Sequence, residues 1–132
     1  IVRIILTRGP GRFGLSTRRA GPPRLILMAL PVVFGDADPI RVCLSRYRLC
    51  NDGTKHLKSL NYFPNILARR EADEAGYDDA LMMSERGFVV SGTSSNLFLM
   101  HGGVLMTPPA RGIRNGVTRR HVMALARAEG MT

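Results

Sequence analysis

Two short stretches hold residues whose types and spacing can do chemistry. In Leu57-Lys58-Ser59-Leu60-Asn61-Tyr62 a lysine stands four residues before a tyrosine, where a strand-like stretch hands over to a helix. A lysine amine that sheds its proton can condense with a carbonyl, and a phenol beside it can hydrogen-bond a cofactor oxygen. In Gly116-Val117-Thr118 a glycine precedes a hydroxyl residue at the start of a helix. Unpaired backbone N–H groups and the positive end of the helix dipole suit such a place to an anion, a phosphate above all. Taken singly, an ordinary surface lysine and an ordinary first-turn threonine are simpler accounts. Lysine usage weighs on the first: 17 of the 19 basic residues are Arg, and only Lys55 and Lys58 are Lys. Arginine stays protonated and is a poor amine, so a retained Lys can do what Arg cannot. Chance survival of two surface lysines stays open as the alternative.

The elements that have to position these residues are legible as a pattern. Val2 to Thr7, Arg24 to Leu30 and Arg41 to Arg46 are rich in branched residues and bounded by Gly, Pro or Asp, which predicts strands. Arg8 to Gly14 reads as a loop. It lacks both a GxxxxGK[ST] and a GxGxxG that opens a helix, so it resembles a nucleotide loop only superficially. Pro31 to Pro39, with Gly35, Asp36 and Asp38, reads as a connector. Asn61 to Ala75 is predicted helical, with Pro64 in its first turn, a stripe of Ile66, Leu67, Ala68, Ala72 and Ala75, and Gly76 to end it. Asp79 to Ser84, Phe88 to Ser91 and Asn96 to Met100 read as short strands, and His101-Gly102-Gly103 turns the last of these into Val104 to Thr107. Pro108 to Asn115 is a loop holding Arg111, Gly112 and Arg114. A final helix from about Val117 to Glu129 puts Val122, Met123 and Ala126 on one face.

In this order the two stretches resemble a known family. The run Leu57-Lys58-Ser59-Leu60-Asn61-Tyr62-Phe63-Pro64-Asn65-Ile66-Leu67-Ala68-Arg69-Arg70-Glu71-Ala72 is similar to the cofactor-lysine segment of the class IV aminotransferases, the fold-type IV pyridoxal-phosphate enzymes. Ser91-Gly92-Thr93-Ser94-Ser95-Asn96-Leu97-Phe98 resembles the family's glycine-serine-asparagine segment. Thr107-Pro108-Pro109, followed by Gly116-Val117-Thr118-Arg119, resembles its phosphate-binding loop and helix. The likeness runs from about Arg41 to Gly130. Thr7 to Leu15 is similar, less specifically, to the end of the family's small N-terminal domain.

The resemblance implies an α/β architecture in part: residues 1–33 as the C-terminal part of a small domain, 34–40 as the connector, and 41–132 as the N-terminal part of a large cofactor-binding domain. It implies pyridoxal 5'-phosphate as the cofactor, with Lys58 as the catalytic residue that forms the internal aldimine and shuttles the substrate proton. Tyr62 would hydrogen-bond the cofactor's phenolic oxygen, Val117 and Thr118 would hold the phosphate beside Gly116, and Asn96, Ser94 and Ser95 would line the pocket. One position departs from the family. At Ser91 the family usually has a Glu that keeps the pyridine nitrogen protonated, and a neutral Ser does not favour that charge to the same degree. The activity implied is amino-group transfer between an amino acid and a 2-oxo acid. The alternative is 4-amino-4-deoxychorismate lyase of folate synthesis, which Ala20-Gly21-Pro22-Pro23 after the glycine loop favours, whereas Tyr62 and Pro64-Asn65 look closer to the transaminases. Members of this family are commonly homodimers.

Composition excludes other classes. At 132 residues, with 45% hydrophobic and 22% charged residues, the chain is that of a globular protein. No apolar run approaches the ~20 residues a membrane helix needs. The net charge of +9 invites a nucleic-acid reading, but the arginines are scattered among Gly and Pro without interleaved aromatics, so an Arg-rich nucleic-acid binder is kept only as a remote alternative. Cys43 and Cys50 lie in no CxxC, and His56, His101 and His121 have no ligand spacing, so no metal site is expected and a reduced, cytoplasmic protein is. The opening Ile1-Val2-Arg3-Ile4-Ile5-Leu6 and the close just after Gly130 both read as cuts from a longer chain.

Overall fold

The computed structural model describes residues 1–32, 38–50, 53–54, 57–110 and 114–131. The chain divides into two compact units, Ile1–Asp38 and Pro39–Thr132. Of the connector expected over 34–40, residues 34–37 lie outside the described residues.

In the first unit, β1 (Val2–Thr7) and β2 (Arg24–Ala29) pair antiparallel, from Val2 opposite Ala29 to Thr7 opposite Arg24. The long loop between them is held by its own backbone. The Gly21 N–H donates to the Pro10 carbonyl at 2.7 Å, and the Arg8 guanidinium donates to the carbonyls of Gly21 and Thr17. Gly9, at φ 94°, lies so close under Pro22 that a side chain there would collide with the Pro22 carbonyl. Ile4, Leu6, Leu25 and Leu27 are exposed, because a two-stranded ribbon has no second layer of its own to cover either face.

The second unit is built around a βαβ crossover. Strand β3 (Val42–Leu49) lies parallel to β4 (Asp79–Ser84), and β4 pairs antiparallel with β5 (Val89–Gly92), giving a three-stranded sheet in the order β3-β4-β5. Helix α1 (Phe63–Glu74) makes the crossover, as parallel neighbours require. Its start and stop are written in the sequence. A proline occupies the first turn, where a missing N–H costs nothing. At the other end Gly76, at φ 75°, lets the Tyr77 N–H bond the Ala72 carbonyl and its own N–H bond the Asp73 carbonyl, the Schellman arrangement. Ala68 and Ala72 are fully buried against Ala80, Met82 and Val90, with Cys43, Tyr47 and Leu49 at the rim. Two alanines on the helix let it approach the sheet closely.

Polar ties fix α1 on the sheet. The Glu71 carboxylate accepts from the Ser45 hydroxyl at 2.7 Å, from the Arg46 N–H at 3.1 Å and from Arg46 Nε at 2.6 Å. Hydrogen bonding with Arg46, then with Ser45, holds the Glu71 carboxyl below its ordinary pKa. At the far end the Arg41 N–H donates to Asp78 Oδ2 at 2.7 Å and its guanidinium to the Gly76 carbonyl at 2.8 Å. A short hairpin, β6 (Leu99–His101) and β7 (Val104–Met106), and helix α2 (Val117–Ala128) follow. No helix among the described residues is long and apolar enough to cross a membrane.

The differences from expectation are local. Ile66 is 60% exposed and Ala75 is exposed, so the buried stripe of α1 is Ala68 and Ala72 flanked by Leu67 and Glu71. Strand β3 runs three residues beyond Arg46, and β6 starts only at Leu99. Before Leu99, the Thr107 hydroxyl donates to the Leu97 carbonyl at 2.8 Å, a side-chain bond where a longer strand would place a ladder bond.

Candidate functional site

Lys58 lies in the segment that leads from β3 into α1. Residues 57–62 of that segment are not strand, and β3 ends at Leu49. The Leu57 N–H donates to the Thr54 carbonyl, the Tyr62 N–H to the Leu60 carbonyl, and the Asn61 N–H to the Ser59 hydroxyl. The Ser59 hydroxyl, by taking a backbone N–H, gives a local reason for a bend instead of an extended chain. Lys58 thus sits beyond the carboxyl end of β3, the side of an α/β sheet where ligands gather. Lys55 lies outside the described residues.

Lys58 Nζ donates to the Tyr62 hydroxyl at 3.2 Å and lies 5.9 Å from the centre of the Tyr62 ring. The Tyr62 phenol is more acidic than usual. The hydrogen bond from Lys58 is the largest cause. Partial burial opposes it, and the charge of Lys58 and hydrogen bonding with Arg114 reinforce it.

The second wall comes from the end of β5. The Gly92 N–H donates to the Ser95 carbonyl at 3.1 Å, closing a tight turn through Thr93 and Ser94. A Cβ on Gly92 would run into the Ser95 hydroxyl and come within 2.9 Å of Asp79 Oδ2, so a side chain there would force both to shift. Buried Thr93 ties the turn to its surroundings. Its hydroxyl donates to Asp79 Oδ1 at 2.5 Å, and its carbonyl accepts from Asn65 Nδ2, in the first turn of α1, at 2.6 Å. The lysine-bearing segment and the serine turn are thereby held to one another.

The third wall is the start of α2. Gly116, its N-cap, offers no side chain, and the first intrahelical bond is the Arg120 N–H to the Gly116 carbonyl. The N–H groups of Val117, Thr118 and Arg119 therefore have no partner within the helix. Arg119 is 6% exposed. It donates from Nη2 to the Pro108 carbonyl at 2.9 Å and from Nη1 to Asn115 Oδ1 at 3.3 Å, stapling the preceding loop to the helix, while its Nε has no partner among the described residues. Arg119→Met should therefore cost only about 1–2 kcal/mol of unfolding free energy in a denaturant titration. Two acceptors lose their donors, but an imperfectly satisfied buried charge is also removed.

All nine residues expected to form a site line one cavity of about 690 Å³: Lys58, Tyr62, Ser91, Ser94, Ser95, Asn96, Gly116, Val117 and Thr118. That is within the roughly 300–1,000 Å³ of sites for cofactor-sized ligands. No Asp or Glu is among its described lining residues. The same wall holds Arg114 and Asn65, to which sequence reasoning assigned no role. Asn65 stood inside the matched lysine segment; Arg114 had only its place in a loop that had to meet α2. The arrangement can hold an anion at α2 and present an amine and a phenol to whatever that anion belongs to.

A model of the family Amino-transferase class IV matches residues 1–132. The chain is 39% identical over 134 residues to a putative branched-chain-amino-acid aminotransferase of Methanocaldococcus jannaschii, an alignment covering 98% of this chain and 46% of that one. It is similar, at TM-score 0.88 and 30% identity, to a putative 4-amino-4-deoxychorismate lyase of Legionella pneumophila, over 99% of this chain and 49% of that one. It is similar, at TM-score 0.85 and 30% identity, to a branched-chain amino acid aminotransferase of Thermobaculum terrenum in its pyridoxal-phosphate form, over 98% of this chain and 45% of that one. The chain thus spans about half the length of these relatives.

Proposed function

This chain belongs to the class IV aminotransferase family, and from that premise we propose that the protein is a pyridoxal 5'-phosphate aminotransferase moving an amino group between an amino acid and a 2-oxo acid. In this reading Ile1–Asp38 is the end of the small domain and Pro39–Thr132 the beginning of the large one. The observation that carries it is the meeting of Lys58, Tyr62 and the open N-terminus of α2 in one cavity. The residues fit the cofactor: an amine for its aldehyde, N–H groups without helical partners for its phosphate, and no described carboxylate in the lining to repel that phosphate.

When bound, the cofactor supplies a reactive aldehyde and an electron-accepting ring. The chain supplies the rest. Val117 and Thr118 hold the phosphate through backbone N–H groups and the Thr118 hydroxyl, aided by the helix dipole. Lys58 Nζ would anchor the cofactor, take the proton from the substrate's Cα and deliver it to the cofactor's C4′. Tyr62 keeps that amine in place through its hydroxyl and offers an acidified phenol to the cofactor's own hydroxyl. Ser91 meets the pyridine nitrogen as a neutral partner, while Ser94, Ser95 and Asn96 shape the rim.

The similarity to a lyase of the same family favours one second reading, elimination from 4-amino-4-deoxychorismate. A single experiment separates the two. Full-length protein given an amino acid without an acceptor should convert to the pyridoxamine form with a stoichiometry of about one per site, and a 2-oxo acid should restore it. Release of 4-aminobenzoate and pyruvate over many turnovers, with no acceptor present, would decide for the lyase.

A further inference from the structure

The wall of the cavity is chemically one-sided. Its described lining holds two cations, Lys58 and Arg114, and no carboxylate. The roles given above occupy Lys58 and the start of α2 but leave Arg114 without a task. Its backbone is pinned at the threshold of the helix, where the Gly116 N–H donates to the Arg114 carbonyl at 2.8 Å. It lines the same cavity as Tyr62 and Lys58, and it adds to the acidity of the Tyr62 phenol. Arg46, Arg69 and Arg70 each pair with a carboxylate, whereas no described Asp or Glu pairs with Arg114.

A guanidinium that faces a polar cavity without a counter-ion is a ready partner for an oxyanion, and its planar fork matches a carboxylate in particular. Two anionic groups enter this cavity on the reading above: the cofactor's phosphate and the substrate's carboxylate. The phosphate is provided for by the N–H groups of α2. Arg114 instead shares the cavity with Tyr62, the hydrogen-bond partner of Lys58, and acts on its phenol. Once Lys58 is committed to bond formation and proton transfer, Arg114 is the one permanent cation left among the described lining residues.

We propose that Arg114 is a substrate-binding residue, its guanidinium receiving a carboxylate of the amino acid or 2-oxo acid beside Tyr62 and Lys58. This rests on the aminotransferase reading of the cavity. The test uses full-length holoprotein, with isovalerate and glutarate as unreactive probes and the cofactor's absorbance as the readout of binding. Arg114→Gln should raise the dissociation constant of at least one probe about tenfold or more, Arg114→Lys should restore part of the affinity, and cofactor affinity should change by less than about twofold. Weakening of both probes assigns the carboxylate on the reacting carbon, and weakening of glutarate alone assigns the one at the far end. Unchanged affinity for both probes, or a loss of cofactor affinity of equal size, would overturn the proposal. If the wild type takes up no pyridoxal phosphate, the reading of the cavity has failed by itself. The same probes titrated calorimetrically into wild type and Arg114→Gln then still show whether Arg114 binds carboxylates.

Discussion

Lys58→Ala in the full-length protein should lower the single-turnover rate by about 10²–10⁴-fold or more, the usual contribution of a positioned acid–base group, while leaving the fold intact. The fold should survive because Lys58 is an exposed residue in a turn, bonded only to the Tyr62 hydroxyl among the described residues. Lys58→Arg makes the test sharper. Arginine keeps the positive charge and a donor for Tyr62, but it stays protonated and cannot form the covalent link. A site that needed only a cation would be spared by it, whereas a site that needs an amine would lose as much as with alanine. Borohydride reduction of the wild-type holoprotein followed by peptide mapping should place the pyridoxyl label on Lys58. Label on Lys55, or on neither lysine, would remove Lys58 from its role whatever the kinetics of the variants.

Local punctuation made much of the fold legible. Pro64 and Gly76 bracket α1 because each solves a problem of helix ends: one lacks an N–H where none is needed, the other takes the positive φ that the last turn requires. The apolar run Asp79–Ser84 is the central strand, covered by α1 and flanked on both edges. Periodicity was weaker where tertiary contacts decide. Ile66 fits an apolar stripe by composition, yet the contact with the sheet falls on Ala68 and Ala72, since the close packing of helix on sheet favours the smallest side chains. Lys58 was expected where strand yields to helix, and turns intervene because Ser59 and the backbone at Thr54 and Leu60 take the hydrogen bonds that a strand partner would have made.

The candidate site was legible for a different reason. Lys58 and Tyr62 are close in sequence, as are Gly116 and Thr118, so each half is a local pattern that could be seen without the fold, and their order carried the reading that neither carried singly. What no spacing carried was the joint between them. Asp79, Thr93 and Asn65 are far apart in sequence, and their types suit many surface roles. Only in the fold does Thr93 bond both the start of β4 and the first turn of α1, drawing the serine turn toward the lysine segment. Arg114 was missed likewise, being one arginine among 17 until the cavity showed its neighbours.

Thr118→Asp should weaken cofactor binding on the order of 100-fold, ~2.7 kcal/mol, through loss of charge-assisted contacts to the phosphate and repulsion by a like charge. The same substitution should not harm the helix. Thr118 is exposed in the first turn of α2, which has no acidic residue, and a carboxylate there complements the dipole by about 0.3–1 kcal/mol. Stability and affinity are therefore expected to move in opposite directions: an unchanged or slightly raised melting temperature for the cofactor-free protein, and a much higher dissociation constant in a fluorescence titration with pyridoxal phosphate. A variant that merely misfolded would lower both. Thr17→Asp supplies the control, because Thr17 is exposed in the loop of the first unit and engages through its carbonyl, which accepts from Arg8 and from the Ala20 N–H. Its cofactor affinity should stay within about twofold of the wild type, since an exposed charge outside the site is largely screened. Equal affinities in Thr118→Asp and Thr17→Asp would mean that the phosphate lies elsewhere than at α2, and the assignment of Gly116, Val117 and Thr118 would fall while that of Lys58 stood.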